Sequence, residues 1–322
     1  MSKTLTEESR AALYEATLRS LQAEVKELPA VWLYDERGSR LYEEITRLPD
    51  YYLPRREGEI LSARAAGIAS RTQASTLVEL GAGNAKNTRL LLDALESAGT
   101  LERFVPLDVS EQTLRESADQ IAAAYPGISV EPIVGDFERD LDLLPAGGRR
   151  LIAFLGSTIG NLYPDQRARL LAALAEALAP SDALLIGVDL VKDVARLEAA
   201  YNDPQGVTEA FVRNALTAVN RDLDATFDQR RFVYEARWEP KRERMSIGFR
   251  AREAHAVSVR RLGIELTFER DEPLRVEISS KFRRESFELE AARAGLRVDS
   301  WWTDRAGDFA VALLFPDPFA GS

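Results

Sequence analysis

Residues 79–83, Glu-Leu-Gly-Ala-Gly, place an acidic side chain and a G-x-G turn at the end of an apolar run. Such a turn brings backbone N–H groups and a helix N-terminus close to a ligand, which could be a dinucleotide, a nucleotide phosphate or a molecule without phosphate. Lys86 stands where a dinucleotide fingerprint needs its third glycine, and the chain has no G-x-x-x-x-G-K-[ST] phosphate loop. The turn therefore binds a different ligand, or it only closes a strand–helix unit.

The residue inventory limits the chemistry that this chain could perform. Its 322 residues include no cysteine and a single histidine, His255. Disulfides, thiolate catalysis and cysteine-bound zinc are excluded, and a histidine-rich metal site or a histidine-centred triad is not expected. We expect no metal, and chemistry that relies on carboxylates, tyrosines, amides and an organic cofactor.

Composition and charge indicate a globular protein of the cytoplasm. No window approaches the roughly 18 apolar residues of a membrane helix, and the first residues have no apolar signal core. The net charge of −10 argues against a general affinity for nucleic acid. Residues 229–264 are basic, with ten Lys or Arg against four Glu, but the alternation over 244–251 favours a solvated strand face over a nucleic-acid surface.

Short apolar runs alternate with helical stretches in the middle of the chain. The runs are 76–80, 104–108, 130–134, 151–155 and 184–188. This alternation predicts βαβ crossovers and an α/β fold with a parallel, doubly wound sheet, which binds ligands at the carboxyl ends of its strands. Polar and glycine residues gather at those ends, namely Gly81, Asp108 and the segments 135–138, 156–162 and 189–193.

The flanking regions predict a second, α+β domain. An apolar stripe over 7–28 is typical of an amphipathic helix, and strand-like alternation runs from 232 to 280. A helix at 285–294 and two final apolar runs then resume the sheet pattern. We therefore expect one domain from 56–191 with 281–322, and another from 8–55 with 192–280.

Ten segments, spread over nearly the whole chain, carry a family resemblance. They are WLYDERGSRLYEEITRLPDYY, VELGAGNAKNTRLLLDAL, PLDVS, GDFE, FLGSTIGNL, DLVKD, AYND, VNRDL, SSKFR and WWTD followed by AGDF. Together they resemble the histidine Nα-methyltransferases of ergothioneine biosynthesis, which trimethylate the amino group of histidine with S-adenosylmethionine (SAM). The resemblance implies a class I SAM-methyltransferase, Rossmann-like sheet as the SAM-binding domain, and a substrate-binding role for the second domain.

The resemblance implies cofactor-binding residues along the sheet rim. Gly81 and Gly83 would form the loop around the methionine part of SAM, where a side chain would block the approach of the backbone. Asp108 would accept both ribose hydroxyls, and Asp136 and Phe137 would hold the adenine. Turn or helix capping is the structural alternative for the two carboxylates.

One implied cofactor position departs from the family. Asn87 stands where the family commonly carries a lysine near the methionine carboxylate of SAM, and Lys86 precedes it. A neutral amide donates hydrogen bonds without the charge-assisted strength, which is roughly twofold. Lys86 is a candidate to compensate, although adjacent residues on a helix point about 100° apart.

The resemblance also implies residues that hold an amino-acid substrate. Tyr34, Tyr51, Asn161 and Tyr201 match positions around the α-amino and α-carboxylate groups. Asn161 can donate to the carboxylate and accept from the amine, and Tyr34 is the candidate for positioning the amine, so these two are the expected catalytic residues. A turn-forming role is the structural alternative for Asn161.

The imidazole-binding positions contain a second departure. Glu277 and Ser279 match the pair that holds the imidazole, and their spacing places both on one strand face. Ile247 stands where the family often has methionine, while Met245 lies two residues earlier. The branched side chain changes the shape of the pocket without adding polarity, so a related aromatic amino acid is an alternative substrate.

We therefore predict a SAM-dependent methyltransferase that converts L-histidine to hercynine, the first step of ergothioneine biosynthesis, by direct transfer to the deprotonated α-amine. Another aromatic amino acid, such as tryptophan, is the alternative substrate. A nucleic-acid methyltransferase and a non-catalytic SAM-binding protein are further alternatives. We expect a cytoplasmic monomer that acts on a small molecule and binds neither nucleic acid nor membrane.

Overall fold

A computed structural model describes residues 7–83 and 85–318 of the chain. Contacts between residues divide them into two compact units. The first contains residues 7–51 and 193–279, and the second contains residues 52–192 and 280–318.

The helices and strands follow one another in this order. The first part of the chain forms α1 (Glu7–Leu21), β1 (Lys26–Glu27), α2 (Glu36–Ile45), α3 (Leu53–Thr72), β2 (Thr76–Leu80), α4 (Thr88–Ser97), β3 (Arg103–Asp108), α5 (Glu111–Ala124), β4 (Ser129–Val130), β5 (Ile133–Val134), β6 (Arg150–Phe154), α6 (Pro164–Ala177) and β7 (Ala183–Asp189). The remainder forms α7 (Val194–Ala199), α8 (Val207–Leu223), β8 (Phe232–Glu239), β9 (Arg244–Ala251), β10 (His255–Val259), β11 (Ile264–Phe268), β12 (Pro273–Ser280), α9 (Arg284–Arg293), β13 (Leu296–Thr303) and β14 (Phe309–Pro316).

The second unit is built on an eight-stranded sheet, which confirms the predicted α/β fold. Its order is β13-β14-β7-β6-β2-β3-β4, and β5 also pairs with β3. Strand β2 lies parallel to both β3 and β6, and β7 lies parallel to β6 and antiparallel to β14. Every residue of β2, β6 and β7 is buried, as expected for central strands covered on both faces.

The predicted strand over 130–134 is two shorter strands. Ser129–Val130 and Ile133–Val134 each pair in parallel with β3, and Pro132 lies between them. Because proline has no N–H to donate, it interrupts the ladder at this position.

The first unit contains a four-stranded sheet in the order β1-β12-β9-β8, and β10 pairs with β11 in a separate antiparallel hairpin. The predicted helix over 7–28 is wrong in its second part, because α1 ends at Leu21. Lys26 and Glu27 instead lie parallel to β12, and the N–H of Leu28 donates to the carbonyl of Arg275 at 2.8 Å.

The alternation over 244–251 is only partly a solvated face. Met245 and Ile247 are buried on one side, as the pattern predicts. Arg244 on the other side is also buried, and its Nε lies 2.8 Å from a carboxylate oxygen of Glu239. A buried arginine needs an acidic partner, and Glu239, which pairs with Arg244 on the neighbouring strand β8, supplies it.

Candidate active site

The glycine turn after β2 adopts the conformation that its sequence requires. Gly81 and Gly83 have φ values of +68° and +49°, in the left-handed region that favours glycine. The N–H of Gly81 donates to the carbonyl of Leu107, at the end of the neighbouring strand β3, over 2.8 Å. The turn is thereby fixed against the carboxyl end of β3.

Asp108 ends β3 and lies directly beside this turn. One carboxylate oxygen accepts from the N–H of Gly83 at 2.9 Å, and the other accepts from the N–H of Ser110 at 2.8 Å. Burial raises the pKa of Asp108, while the hydrogen bonds from Ser110 and Gly83 oppose that rise. The turn-capping role is therefore observed, and because a carboxylate has about four acceptor positions against the three backbone donors Ser110, Gly83 and Val109, it retains an acceptor position for a ligand hydroxyl.

Phe137 forms an apolar wall near the turn. A side chain added at Gly81 would lie 3.9 Å from the Phe137 ring. That ring packs against Phe154 with centroids 4.9 Å apart. Asp136, the neighbouring residue, accepts from the N–H of Glu138 at 2.9 Å, so its carboxylate also organises its own loop.

Asn87 uses its side chain within the second unit. Its Nδ2 donates to the carbonyl of Pro54 at 3.0 Å and to Oε2 of Glu57 at 2.9 Å. Both amide hydrogens therefore contact α3. Glu57, which no sequence pattern singles out, is a buried carboxyl, and burial raises its pKa to about 7.

Glu79, on β2, is a second buried carboxyl in this region. Thr88 donates to one of its oxygens, and the other has no hydrogen-bond partner within 7–83 and 85–318. Burial raises the pKa of Glu79, and its charged neighbours Glu57 and Asp108 add to this rise. A buried polar atom without a hydrogen-bond partner is the kind of group that a ligand can satisfy.

Asn161 ends a single 3-10 turn, Thr158–Asn161, that follows β6. Ser157 before this turn has a left-handed φ of +59°, and its Oγ accepts from the N–H of Asp189 at 2.9 Å. A Cβ at Gly160 would lie 2.8 Å from the carbonyl oxygen of Ser280. The segment that carries Asn161 is therefore held closely against Ser280, within the second unit.

The first unit brings the predicted substrate tyrosines into one aromatic cluster. The Tyr34 ring meets Tyr42 edge to face at 5.9 Å and Phe211 at 5.5 Å. The Tyr51 ring meets Tyr42 at 6.4 Å and Tyr201 at 6.1 Å. Sequence reasoning missed Tyr42 and Phe211, although Tyr42 lies within the quoted segment from Trp32 to Tyr52.

A chain of hydrogen bonds connects this aromatic cluster to β12. The hydroxyl of Tyr201 donates to Oγ of Ser279 at 2.9 Å, and Tyr234 donates to the carbonyl of Tyr201 at 2.6 Å. Burial raises the pKa of Tyr51 well above its usual value, and Tyr42, Tyr201 and Glu277 raise it further. Tyr51 is therefore a neutral phenol near neutral pH, and the half-buried Glu277 is close enough to influence it.

Ile247 lies in β9, opposite Ala236 of β8, and is 1% exposed. Tyr34, Tyr51, Tyr201, Ile247, Glu277 and Ser279 thus belong to the first unit, while Asn161 and all predicted cofactor-binding residues belong to the second. Within 7–83 and 85–318, no group of three or more His, Cys, Asp or Glu residues is arranged to hold a metal ion. Over the same residues, no helix is both long and apolar enough to cross a membrane.

Comparison with known proteins identifies one family. The model of a family described as histidine-specific, SAM-dependent methyltransferases matches residues 13–316. A histidine N-alpha-methyltransferase of Mycolicibacterium smegmatis is 49% identical over 302 residues, which are 94% of this chain and 94% of that protein. The enzyme of the same name from Mycobacterium tuberculosis gives the same values. Ergothioneine biosynthesis protein 1 of Neurospora crassa is 32% identical over 90% of this chain and 33% of its own length.

Proposed function

Because the chain belongs to the family of histidine-specific, SAM-dependent methyltransferases, we propose that it trimethylates the α-amino group of L-histidine. The product is hercynine, and the reaction is the first step of ergothioneine biosynthesis. The observation that carries this proposal is the aromatic cluster of the first unit, joined through Tyr201 to Ser279 and electrostatically to Glu277.

The second unit supplies a cofactor site that fits SAM. Gly81 and Gly83 leave room for a ligand beside the backbone, Asp108 offers acceptors next to them, and Phe137 provides a flat apolar surface. These features suit an amino-acid chain, a ribose diol and an adenine ring in that order. When SAM is bound, its sulfonium supplies the electrophilic methyl group.

The aromatic cluster suits a substrate that is cationic before deprotonation and again after each methyl transfer. The α-ammonium becomes a quaternary ammonium after three methylations, and aromatic ring faces attract both by cation–π interaction. Because Tyr51 stays neutral near neutral pH, its hydroxyl can donate or accept as the amine loses its hydrogens. An ionised tyrosine could only accept hydrogen bonds and could not donate one.

The protein's catalytic contribution is alignment and desolvation, with no covalent enzyme intermediate. Tyr34 positions the amine, and Asn161 binds the α-carboxylate while accepting from the amine. Each transfer needs a neutral amine, whose reference pKa is about 7.7–8.0, so one proton leaves through solvent or a tyrosine before each methylation. Holding nitrogen, methyl and sulfur in line then lowers the barrier by fixing the reacting groups in advance.

Glu277 and Ser279 give the substrate preference. A carboxylate and a hydroxyl on one strand can bind both nitrogens of an imidazole, and an apolar aromatic ring offers them nothing. The Ile247 side chain has no polar atoms and would tolerate either ring. The preference for histidine over tryptophan therefore depends on Glu277 and Ser279.

The direct test is to incubate the protein with SAM and each amino acid in turn and to record the mass of the products. We expect histidine to gain one, two and then three methyl groups. A chain that methylates tryptophan faster than histidine would contradict the substrate assignment. A chain that binds SAM and methylates no amino acid would contradict the enzymatic one.

We further propose that the protein is a cytoplasmic monomer without affinity for nucleic acid. The charge of −10 supports the last point. Light scattering after size exclusion should give a mass near 35.8 kDa. A salt-sensitive band shift with DNA or RNA would instead favour a role for the basic segment 229–264.

A further inference from the structure

We propose that Glu57 is a positioning residue for the cofactor site, which fixes the loops after β2 and β6 through Asn87 and Gly156. Asn87 would then serve this bridge instead of binding SAM. The inference rests on the proposed function only in that SAM is the ligand of these loops.

The bridge consists of Asn87, Glu57 and Gly156, and each carboxylate oxygen of Glu57 accepts one hydrogen bond in it. Oε1 of Glu57 accepts from the N–H of Gly156 at 2.7 Å, and Oε2 accepts from Nδ2 of Asn87 at 2.9 Å. Gly156 begins the segment that leads to Asn161, and Asn87 immediately precedes α4, after the glycine turn. One carboxyl group therefore contacts both segments that follow the neighbouring strands β2 and β6.

The sheet is shaped to admit this carboxyl. Glu57 is 2% exposed, and a Cβ at Gly187 of β7 would lie 2.2 Å from its Oε1. Any side chain at position 187 would therefore displace Glu57. Since burying a carboxyl is costly without hydrogen-bond partners, its insertion here implies that the two loops gain order from it.

Asn87 is committed to the same bridge. Its Nδ2 has two hydrogens, and the structure directs them to Glu57 and to the carbonyl of Pro54, in the first turn of α3. To donate to a cofactor carboxylate, the amide would have to release one of these acceptors. These two contacts explain why an asparagine fits at this position in place of a lysine, because one neutral amide can donate to both Glu57 and Pro54.

The first test is Glu57→Gln, with S-adenosylhomocysteine binding measured by calorimetry in the absence of any amino acid. Glutamine keeps the size and can still accept from Gly156, but its NH2 group then faces the NH2 group of Asn87. The hydrogen bond to Asn87 is lost, so the loop after β2 is no longer held in place in the free protein and ligand binding must order it. We therefore expect the dissociation constant to rise roughly 5- to 150-fold, the scale of one lost buried hydrogen bond. Glu59→Gln, at an exposed position of the same helix, is the matched control and should bind as the wild type does.

The second test separates positioning from general stability. Asn87→Asp places two carboxyl groups in contact and should also weaken binding. The double variant Glu57→Gln with Asn87→Asp restores a donor facing an acceptor, so its affinity should exceed the value expected from adding the two single losses. All measurements are made at a temperature where circular dichroism shows each variant folded. If Glu57→Gln does not fold, Asn87→Ala replaces it, because Asn87 is only half-buried.

Wild-type affinity in a folded Glu57→Gln variant, or losses that simply add in the double variant, would overturn the proposal. Ligand binding is measured without substrate, so the outcome is independent of histidine methylation. A wild-type protein that binds S-adenosylhomocysteine and leaves histidine unmodified would refute the proposed function and leave this inference intact.

Discussion

Several residues that hold neighbouring groups in this structure are also predicted to contact ligands. Asp108 holds the backbone of Gly83 and Ser110, and the same carboxylate is the predicted ribose acceptor. Tyr201 donates to Ser279 while its own carbonyl accepts from Tyr234. Residue-scale variants must therefore be judged by ligand affinity and by stability together.

Glu277→Ala tests the substrate preference. If Glu277 accepts from the imidazole, its removal leaves a donor unpaired at a cost of about 1.5–3 kcal/mol, or roughly a 10- to 150-fold loss in kcat/KM for histidine. Tryptophan should lose less and could gain, since the desolvation cost of the carboxylate disappears. Competition between the two amino acids gives the ratio directly.

Glu265→Ala, at an exposed position of β11, is the control for this change and should leave the ratio unaltered. An equal loss on every amino acid, or an unchanged histidine rate in Glu277→Ala, would show that Glu277 does not bind the imidazole.

Asp108→Asn tests the cofactor assignment. The amide loses one acceptor, so we expect SAM to bind roughly tenfold more weakly, in line with a hydrogen bond to a charged group. Calorimetry of histidine without cofactor should change little. Asp119→Asn, exposed on α5, provides the comparison, and equal weakening of both ligands by Asp108→Asn would assign that residue a structural role alone.

At the scale of elements, the strand ends are fixed by contacts between loops that follow different strands. Gly81 donates to the end of β3, Glu57 on α3 accepts from Gly156 after β6, and Ser157 accepts from Asp189 at the end of β7. Because the strands are central and fully buried, motion at this rim must come from the loops.

Gly160→Ala should disrupt one of these loops. Its Cβ would lie 2.8 Å from the Ser280 carbonyl oxygen, closer than real Cβ contacts allow, so the segment with Asn161 must shift. We expect a lower kcat for histidine and a loss of stability of about 1–3 kcal/mol, as for other overpacked sites. Gly67→Ala, in α3 with open space around it, should be neutral or more stable. Equal behaviour of the two variants would mean that the segment adapts freely.

At the scale of the whole molecule, each unit combines segments that are far apart in sequence. Residues 7–51 associate with 193–279, and residues 52–192 with 280–318. The second unit buries carboxyl groups on two elements, Glu57 on α3 and Glu79 on β2, and burial raises the pKa of both. Because their pKa values differ between the folded and the unfolded chain, these groups make the free energy of unfolding depend on pH.

Glu57 should make the protein less stable as pH rises. Its pKa is about 7 when folded, against 4.5 without the protein environment. The raised value stabilises the fold fully below pH 4.5, and this contribution, on the order of 3 kcal/mol, is lost as pH rises to about 7. Denaturant titrations of wild type and Glu57→Gln should therefore differ in their pH dependence across this window. Parallel curves would show that Glu57 titrates normally, and Glu59→Gln again serves as the control.

The sequence alone determined the elements whose patterns are local and strong. Strand β2 spans the residues that its apolar run predicts, and the alternating series gave the doubly wound sheet. The family was also readable, because several long and chemically specific segments, such as 78–95, occur together in the chain. The local pattern was wrong where distant pairing overrode it, as at Lys26 and Glu27, which lie between the stripe residues Val25 and Leu28 yet pair with β12.

Only the tertiary structure decided how polar side chains are used. The position of Asn87 predicts a cofactor contact, which stays a prediction, and the structure adds hydrogen bonds from its side chain to Pro54 and Glu57, 33 and 30 residues away. The aromatic cluster likewise joins Tyr51 to Tyr201, and Tyr34 to Phe211, across long stretches of chain. Periodicity reports which face of an element is apolar, but a hydrogen bond depends on which donor lies within about 3 Å of which acceptor, and the folded chain alone sets that distance.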